Sequence, residues 1–296
     1  MTSETIKQIT VLSGKGGTGK TTVTAALAQV SSPISLFADC DVDAPNLHLL
    51  LNPTNTSSEQ FLSGKLAIKN PEKCNDCGKC LEVCRFDAIT PQYEINDVMC
   101  EGCGACKWIC PTKAISMEIQ PSGVIYEAET RFGPMVHALL NIGAENSGKL
   151  VSEVIQKSHN KANQLNKDLI IVDGSPGIGC PVIAALTNAT MVIIVVEPTI
   201  TAIHDMKRAL ELVQFFKLTP AVIINKATIN EEQRYNIINF CNEEDIAIVG
   251  ELPYNMEMYK AMVNRKTIIE HGIDGMEKLL NEIWVKIQDL LKLEGK

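Results

Sequence analysis

The sequence predicts a doubly wound α/β domain with a mostly parallel sheet, interrupted by a small cysteine-rich α+β insert. Three observations predict it. Apolar runs of strand length alternate with helical stretches. A glycine-rich loop joins the first run to the first helix. Eight of the eleven cysteines fall between Cys74 and Cys110. A chain of 296 residues is long enough for one large domain and a small module.

The elements follow in order. Ile6 to Leu12 reads as the first strand and Ile34 to Ala38 as the second. Leu169 to Asp173, Met191 to Val196, Ala221 to Asn225 and Ile246 to Val249 are further apolar runs. Near-continuous runs of this length mark strands buried on both faces of a parallel sheet. Helical stretches lie between them, at Lys20 to Val30, Thr201 to Phe216 and Glu231 to Cys241. Alternating strands and helices give a doubly wound domain. The pattern breaks over residues 67–122, which assigns 1–66 and 123–296 to the parent domain. The break repeats itself at an offset of 26 residues: Cys74, Cys77, Cys80 and Cys84 map onto Cys100, Cys103, Cys106 and Cys110. Gly78 maps onto Gly104, and Ala88 and Ile89 onto Ala114 and Ile115, as an internal duplication would require.

Composition narrows the function. Net charge is −8, which suits a chain that does not bind nucleic acid through its phosphates. No apolar run is long enough to cross a bilayer. Met1 to Thr5 carries no basic segment followed by an apolar one, so a cytoplasmic location is expected, where thiols stay reduced. Clustered thiols in that setting point to a metal site rather than to disulfides.

Gly14-Lys15-Gly16-Gly17-Thr18-Gly19-Lys20-Thr21-Thr22 fits the phosphate-loop pattern and sits between a strand and a helix. Glycines let backbone N–H groups converge on phosphate oxygens, and the helix N-terminus adds positive charge. Lys20 is expected on the β- and γ-phosphates, and the Thr21 hydroxyl on Mg²⁺.

Cys74-x2-Cys77-x2-Cys80-x3-Cys84 and Cys100-x2-Cys103-x2-Cys106-x3-Cys110-Pro111 match the run of bacterial ferredoxins, in which the fourth cysteine of each run ligates the other cluster. The expected ligands of one [4Fe–4S] cluster are Cys74, Cys77, Cys80 and Cys110. Those of the second are Cys84, Cys100, Cys103 and Cys106. Structural zinc more often pairs two C-x2-C knuckles across a longer gap. Arg85 stands where the run usually has proline, which changes the local turn but removes no ligand.

Lys15, directly after the first loop glycine, resembles the deviant phosphate loop of the MinD, Mrp, ArsA and nitrogenase iron protein superfamily. The resemblance implies that Lys15 reaches across a dimer to the partner's nucleotide. Asp39-Cys40-Asp41 resembles that family's first switch, with Asp41 orienting the attacking water and near Mg²⁺. Leu169 to Gly177 resembles Walker B and the second switch. It implies that Asp173 holds Mg²⁺ through a water and that Gly177 offers its N–H to the γ-phosphate. Asn225 resembles the adenine-contacting asparagine, and Pro253 matches a position near the base. Lys15, Lys20, Asp41 and Asp173 are therefore the candidate catalytic residues. Thr21, Asp41 and Asp173 are the candidate Mg²⁺ site.

Cys180 lies seven residues after Asp173, an offset at which the nitrogenase iron protein has a cysteine binding a shared cluster. It is either an interface residue or a small buried one. From Met276 an apolar stripe runs through Leu279, Leu280, Ile283, Trp284, Ile287, Leu290 and Leu291. Four acids, Glu277, Glu282, Asp289 and Glu294, balance Lys278, Lys286, Lys292 and Lys296, so packing on the sheet is expected rather than a membrane surface.

The resemblance implies an ATP-hydrolysing iron–sulfur protein using ATP, Mg²⁺ and two [4Fe–4S] clusters. As a dimer with itself or with a paralogue, it would couple nucleotide state to electron transfer toward a redox partner. The alternatives are delivery of a cluster or metal to a metalloprotein target, and a MinD- or ParA-like positioning switch. Cys241 stands alone where cluster-assembling Mrp relatives carry a C-x-x-C, which weighs against delivery.

Overall fold

The structure, a computed structural model, describes residues 6–292. The expectation read from Met1 to Thr5, and the charges of Glu294 and Lys296, lie outside the described residues.

The chain forms β1 (Lys7–Leu12), α1 (Lys20–Ser31), β2 (Ser35–Asp39), α2 (Leu47–Leu51) and β3 (Thr54–Lys69). Next come α3 (Lys79–Val83), α4 (Ala105–Ile109), β4 (Ile115–Thr130), β5 (Gly133–Leu140) and α5 (Ser147–Gln164). The rest is β6 (Leu169–Asp173), α6 (Cys180–Ala185), β7 (Met191–Val196), α7 (Ile200–Phe215), β8 (Thr219–Ile224), α8 (Glu231–Glu243), β9 (Ala247–Glu251), α9 (Met256–Val263) and α10 (Met276–Leu291). The nine-stranded sheet has the order β3-β4-β5-β2-β6-β1-β7-β8-β9. Every pairing from β5 across to β9 is parallel.

These residues divide into two compact units. The first takes in the chain up to Ser58, Ile125–Leu139 and the chain from Ser147. The second is Glu59–Val124 with Leu140–Asn146, wider than the 67–122 marked by composition.

In the first unit, β6 and β7 are built of Ile, Val, Leu and Met, apart from Asp173 at the end of β6, and are buried along their whole length, as strands covered on both faces must be. One core cluster joins the sheet to α1, α9 and α10; a second joins it to α6, α7 and α8. α10 buries Leu280, Ile283, Trp284, Ile287 and Leu291 in the first cluster, each worth about 1.5–3 kcal/mol. Gly250 lets this helix come close. A Cβ there would stand 2.3 Å from Ile283 Cγ1. The stripe thus packs on the sheet, apart from Leu290, which is exposed. Among the described residues no helix is long and apolar enough to cross a membrane.

Register sets up the edge that matters. Val11 and Asp39 both pair with Asp173, so β1, β2 and β6 end together at the carboxyl edge of the sheet. Ligands bind at that edge in open α/β sheets.

His48 of α2, His137 of β5 and Tyr126 of β4 form a ring stack, with centroids 5.0 Å and 4.9 Å apart. Burial, then the neighbouring His48, depresses His137 from 6.5 to about 4. A histidine with a depressed folded pKa stabilises the fold above its unfolded pKa, and this is lost as pH falls through the folded one. The contribution is about 3 kcal/mol in full, of which about 2 kcal/mol is lost by pH 5. Denaturant midpoints at pH 7 and pH 5 should show this loss, and His137→Phe should flatten the dependence.

The second unit is small. Its core joins Ala67, Ile89, Ile115 and Cys106 to half-buried cysteines and Met117. α3 and α4 both follow a glycine at φ 77°, Gly78 and Gly104, so the duplication is repeated in the backbone.

Candidate nucleotide and cysteine sites

β1 delivers the chain into the phosphate loop and α1 carries it away. Between them Gly19 adopts φ 90°, a region that L side chains rarely enter. A Cβ there would also stand 2.2 Å from Asn225 Nδ2. The positive φ calls for glycine, and any larger residue would also push the Asn225 amide aside.

The loop borders a groove of about 860 Å³. Gly16, Gly17, Thr18, Gly19, Lys20, Thr21 and Thr22 line it, together with Asp41 and Asn225. Asp173 lies beneath, fully buried, and three donors converge on it. Lys20 Nζ is 2.8 Å from Oδ1, Thr24 Oγ1 donates to Oδ1 at 2.9 Å, and Thr21 Oγ1 donates to Oδ2 at 2.7 Å. Burial would lower the Lys20 pKa, but the Asp173 carboxylate outweighs it and holds the amine charged. The expected Mg²⁺ residues Thr21 and Asp173 are therefore in contact, and Lys20 stands between Asp173 and the groove.

Asp39 and Asp41 complete an acidic cluster. Asp39 accepts from the backbone N–H groups of Asp41 at 3.1 Å and Leu47 at 3.0 Å, and so fixes the turn into α2. Burial, then Asp173, pushes its carboxyl up to about 8. Asp41 is half-buried in the groove wall, and burial raises it too. Asp39, Asp41 and Asp173 surround one cation, Lys20. The Thr21 hydroxyl with the Asp41 and Asp173 carboxylates would offer a hard divalent ion oxygen ligands, whereas both Asp39 oxygens are taken by backbone N–H groups.

Other expected residues stand elsewhere. Gly177 donates its N–H to the Ser13 carbonyl at 2.9 Å, which ties the loop after β6 to the phosphate loop. Lys15 Nζ is held by Glu197 at 3.2 Å and Thr201 at 3.0 Å. Gly14, Lys15, Gly177 and Pro253 are not among the groove-lining residues. Cys180 is exposed at the start of α6. Asn225 Nδ2 donates to the Thr18 carbonyl at 2.7 Å, and its Oδ1 is buried without a partner. Because a carbonyl only accepts, this bond fixes which end of the amide is which.

The sequence reading missed the far wall. Tyr254, Met256, Tyr259 and Met262 line the groove as an apolar surface suited to a flat base. The amphipathic pattern of α9 was the available signal. Lys226 was also missed; it donates to the Gly17 carbonyl at 2.9 Å.

In the second unit the cysteines surround two separate concavities. One is lined by Cys74, Cys77, Cys80 and Cys110, the other by Cys84, Cys100, Cys103 and Cys106. The fourth cysteine of each run thus faces the other run's three. Ala114 N–H donates to Cys110 Sγ at 3.3 Å. Soft thiols with N–H donors at sulfur suit an iron–sulfur cluster. Among the described residues, no group of three or more His, Cys, Asp or Glu side chains is placed to hold a single metal ion.

Comparison with known proteins identifies the family. Residues 9–268 match the CobQ/CobB/MinD/ParA nucleotide binding domain. Uncharacterized protein MJ0578 of Methanocaldococcus jannaschii is 33% identical over 288 residues, covering 97% of this chain and 98% of its own. The septum site-determining protein MinD of Pyrococcus horikoshii, complexed with Mg-ADP, has a TM-score of 0.62 at 17% identity. That match covers 98% of this chain and 99% of that one. The MinC:MinD cell division protein complex of Aquifex aeolicus gives 0.58 at 16% identity, covering 96% of both chains. At such identities the two structures speak for the fold alone.

Proposed function

Because the chain belongs to the CobQ/CobB/MinD/ParA nucleotide-binding family, we propose that it is an ATP-hydrolysing switch whose nucleotide state governs association of two chains, and that its cysteine-rich unit holds two [4Fe–4S] clusters. The observation that carries the reading is the convergence of Lys20, Thr21 and Thr24 on buried Asp173 beneath the groove.

The phosphate loop would cradle the phosphates with its N–H groups, and Lys20 would turn from Asp173 toward the β- and γ-oxygens. Mg²⁺, held through Thr21, Asp41 and Asp173, would neutralise phosphate charge. Asp41 would orient the attacking water. Positioning and charge are what phosphoryl transfer requires of a protein. Lys15 would serve the nucleotide of a second copy or a paralogue, and Gly177 would exchange its Ser13 bond for the γ-phosphate.

Asn225 favours adenine. Its spare Oδ1 is an acceptor, which suits the amino group of adenine and opposes the carbonyl of guanine. A buried polar atom left unmatched costs about 1–3 kcal/mol, so ATP should bind about tenfold tighter than GTP. Asn225→Ala should erase most of that ratio in calorimetric titrations. The switch itself is tested by turnover per chain, which should rise with protein concentration and lose that rise in Lys15→Ala. Turnover independent of concentration argues against association.

A second reading is ATP-gated electron transfer as the output of the switch. It rests on the two four-cysteine concavities, since clusters held by complete thiolate sets suit electron passage better than release. Family and fold favour the switch in general terms. A positioning role among partners, such as the MinC complex formed by a structural relative, fits them as well.

A further inference from the structure

Two lysines beside the phosphate loop end on one carboxylate. Lys15 Nζ lies 3.2 Å from Glu197 Oε1 and donates to Thr201 Oγ1 at 3.0 Å. Lys226 Nζ lies 2.7 Å from Glu197 Oε2 and also donates to the Gly17 carbonyl. Glu197 directly follows β7, Thr201 sits in the first turn of α7, and Lys226 closely follows β8. The loops that follow β1, β7 and β8, three neighbouring strands of the sheet, thus meet at this residue. The Glu197 side chain is 12% exposed, against 35% for Lys15 and 30% for Lys226. Burial alone would raise its pKa, but hydrogen bonds from Lys226 and Lys15 outweigh that and keep it ionised.

We infer that Glu197 is an internal ligand for Lys15 that competes with a second chain's nucleotide, and so sets the concentration at which ATP-loaded chains associate. The inference rests on the ATP-dependent association proposed above. Glu197 and Thr201 occupy two of the three N–H donors of Lys15, so reaching another chain's nucleotide competes with those bonds. Release breaks one ion pair and one hydrogen bond, both partly exposed, so the tether is modest in strength. Lys226 stays on Glu197 when Lys15 leaves, so the departure does not strand a lone buried carboxylate, which would be costly. The arrangement therefore suits a reversible threshold rather than a permanent lock.

The test uses the full chain with Mg²⁺ and a non-hydrolysable ATP analogue, and reads two quantities. One is the rate of acylation of the Lys15 amine, followed by peptide mass spectrometry with the analogue left out, so that no second chain's nucleotide shields the amine. The other is the monomer–dimer midpoint from sedimentation. Glu197→Gln should label Lys15 faster and associate at about threefold to tenfold lower protein concentration. Thr201→Val leaves the Lys226–Glu197 pair intact and should move both readouts the same way by a smaller factor. It also stands in if Glu197→Gln does not fold. In a Lys15→Ala background the effect of Glu197→Gln on association should vanish. If the wild type dimerises and neither variant shifts the midpoint, or if association weakens, Glu197 has no such role although the dimer stands. If every protein stays monomeric, the dimer reading fails and takes the threshold with it. Faster labelling of Lys15 would then show that the tether exists without that use.

Discussion

Asp173→Asn is expected to lower ATP turnover about a hundredfold or more, the scale on which removing one preorganised electrostatic group acts. Asp173 is fully buried and accepts from Lys20, Thr21 and Thr24 at once. Asparagine keeps the shape but has one acceptor oxygen. Its amide nitrogen would face a donor, and Lys20 would lose the counter-ion that keeps it charged at 6% exposure. Breaking a buried pair by neutralising one partner costs about 3–5 kcal/mol, so the variant should also unfold at lower denaturant. Steady-state turnover beside a denaturant curve separates the two effects. The Asp173 account fails if turnover stays at the wild-type rate in a folded variant.

Cys110→Ser and Cys74→Ser are expected to remove the same cluster, although they lie in different cysteine runs. Cys84→Ser and Cys103→Ser should remove the other. Each variant should keep about half of the wild-type iron, as ligand loss at one of two independent sites requires. The reason is the interleaving of the concavities: Cys110 lines the one that holds Cys74, Cys77 and Cys80, and Cys84 lines the one that holds Cys100, Cys103 and Cys106. Iron analysis and electron paramagnetic resonance of the anaerobically reduced proteins check this. Loss of one signal by Cys110→Ser and Cys103→Ser alike would contradict the pairing.

Much of the first unit was legible in the sequence. Runs such as Leu169–Val172 and Met191–Val196 are uninterrupted and apolar because both faces of their strands are covered, and the loop between β1 and α1 is nearly a fixed string. Other parts were hidden for physical reasons. β3 and β4 are each sixteen residues long, and much of their length is exposed and polar. They carry no buried run, and the cysteine-rich stretch drew the boundaries at 67 and 122 instead. The partners of the expected site residues were also out of reach. Lys15 meets Glu197 and Thr201 across more than half the chain, and Asn225 spends its amide N–H on Thr18. Lys226 looked like an ordinary residue after a strand until the fold placed it on Gly17. The wall of Tyr254, Met256, Tyr259 and Met262 resembles any amphipathic helix surface until the groove beside it is seen.

Sedimentation of the anaerobically purified chain, once with Mg²⁺ and a non-hydrolysable ATP analogue and once with Mg-ADP, is the most direct test of the nucleotide switch. A dimer is expected with the analogue and a monomer with ADP, and the dimer should be lost in Lys15→Ala. The same mass in both nucleotide states would contradict the switch.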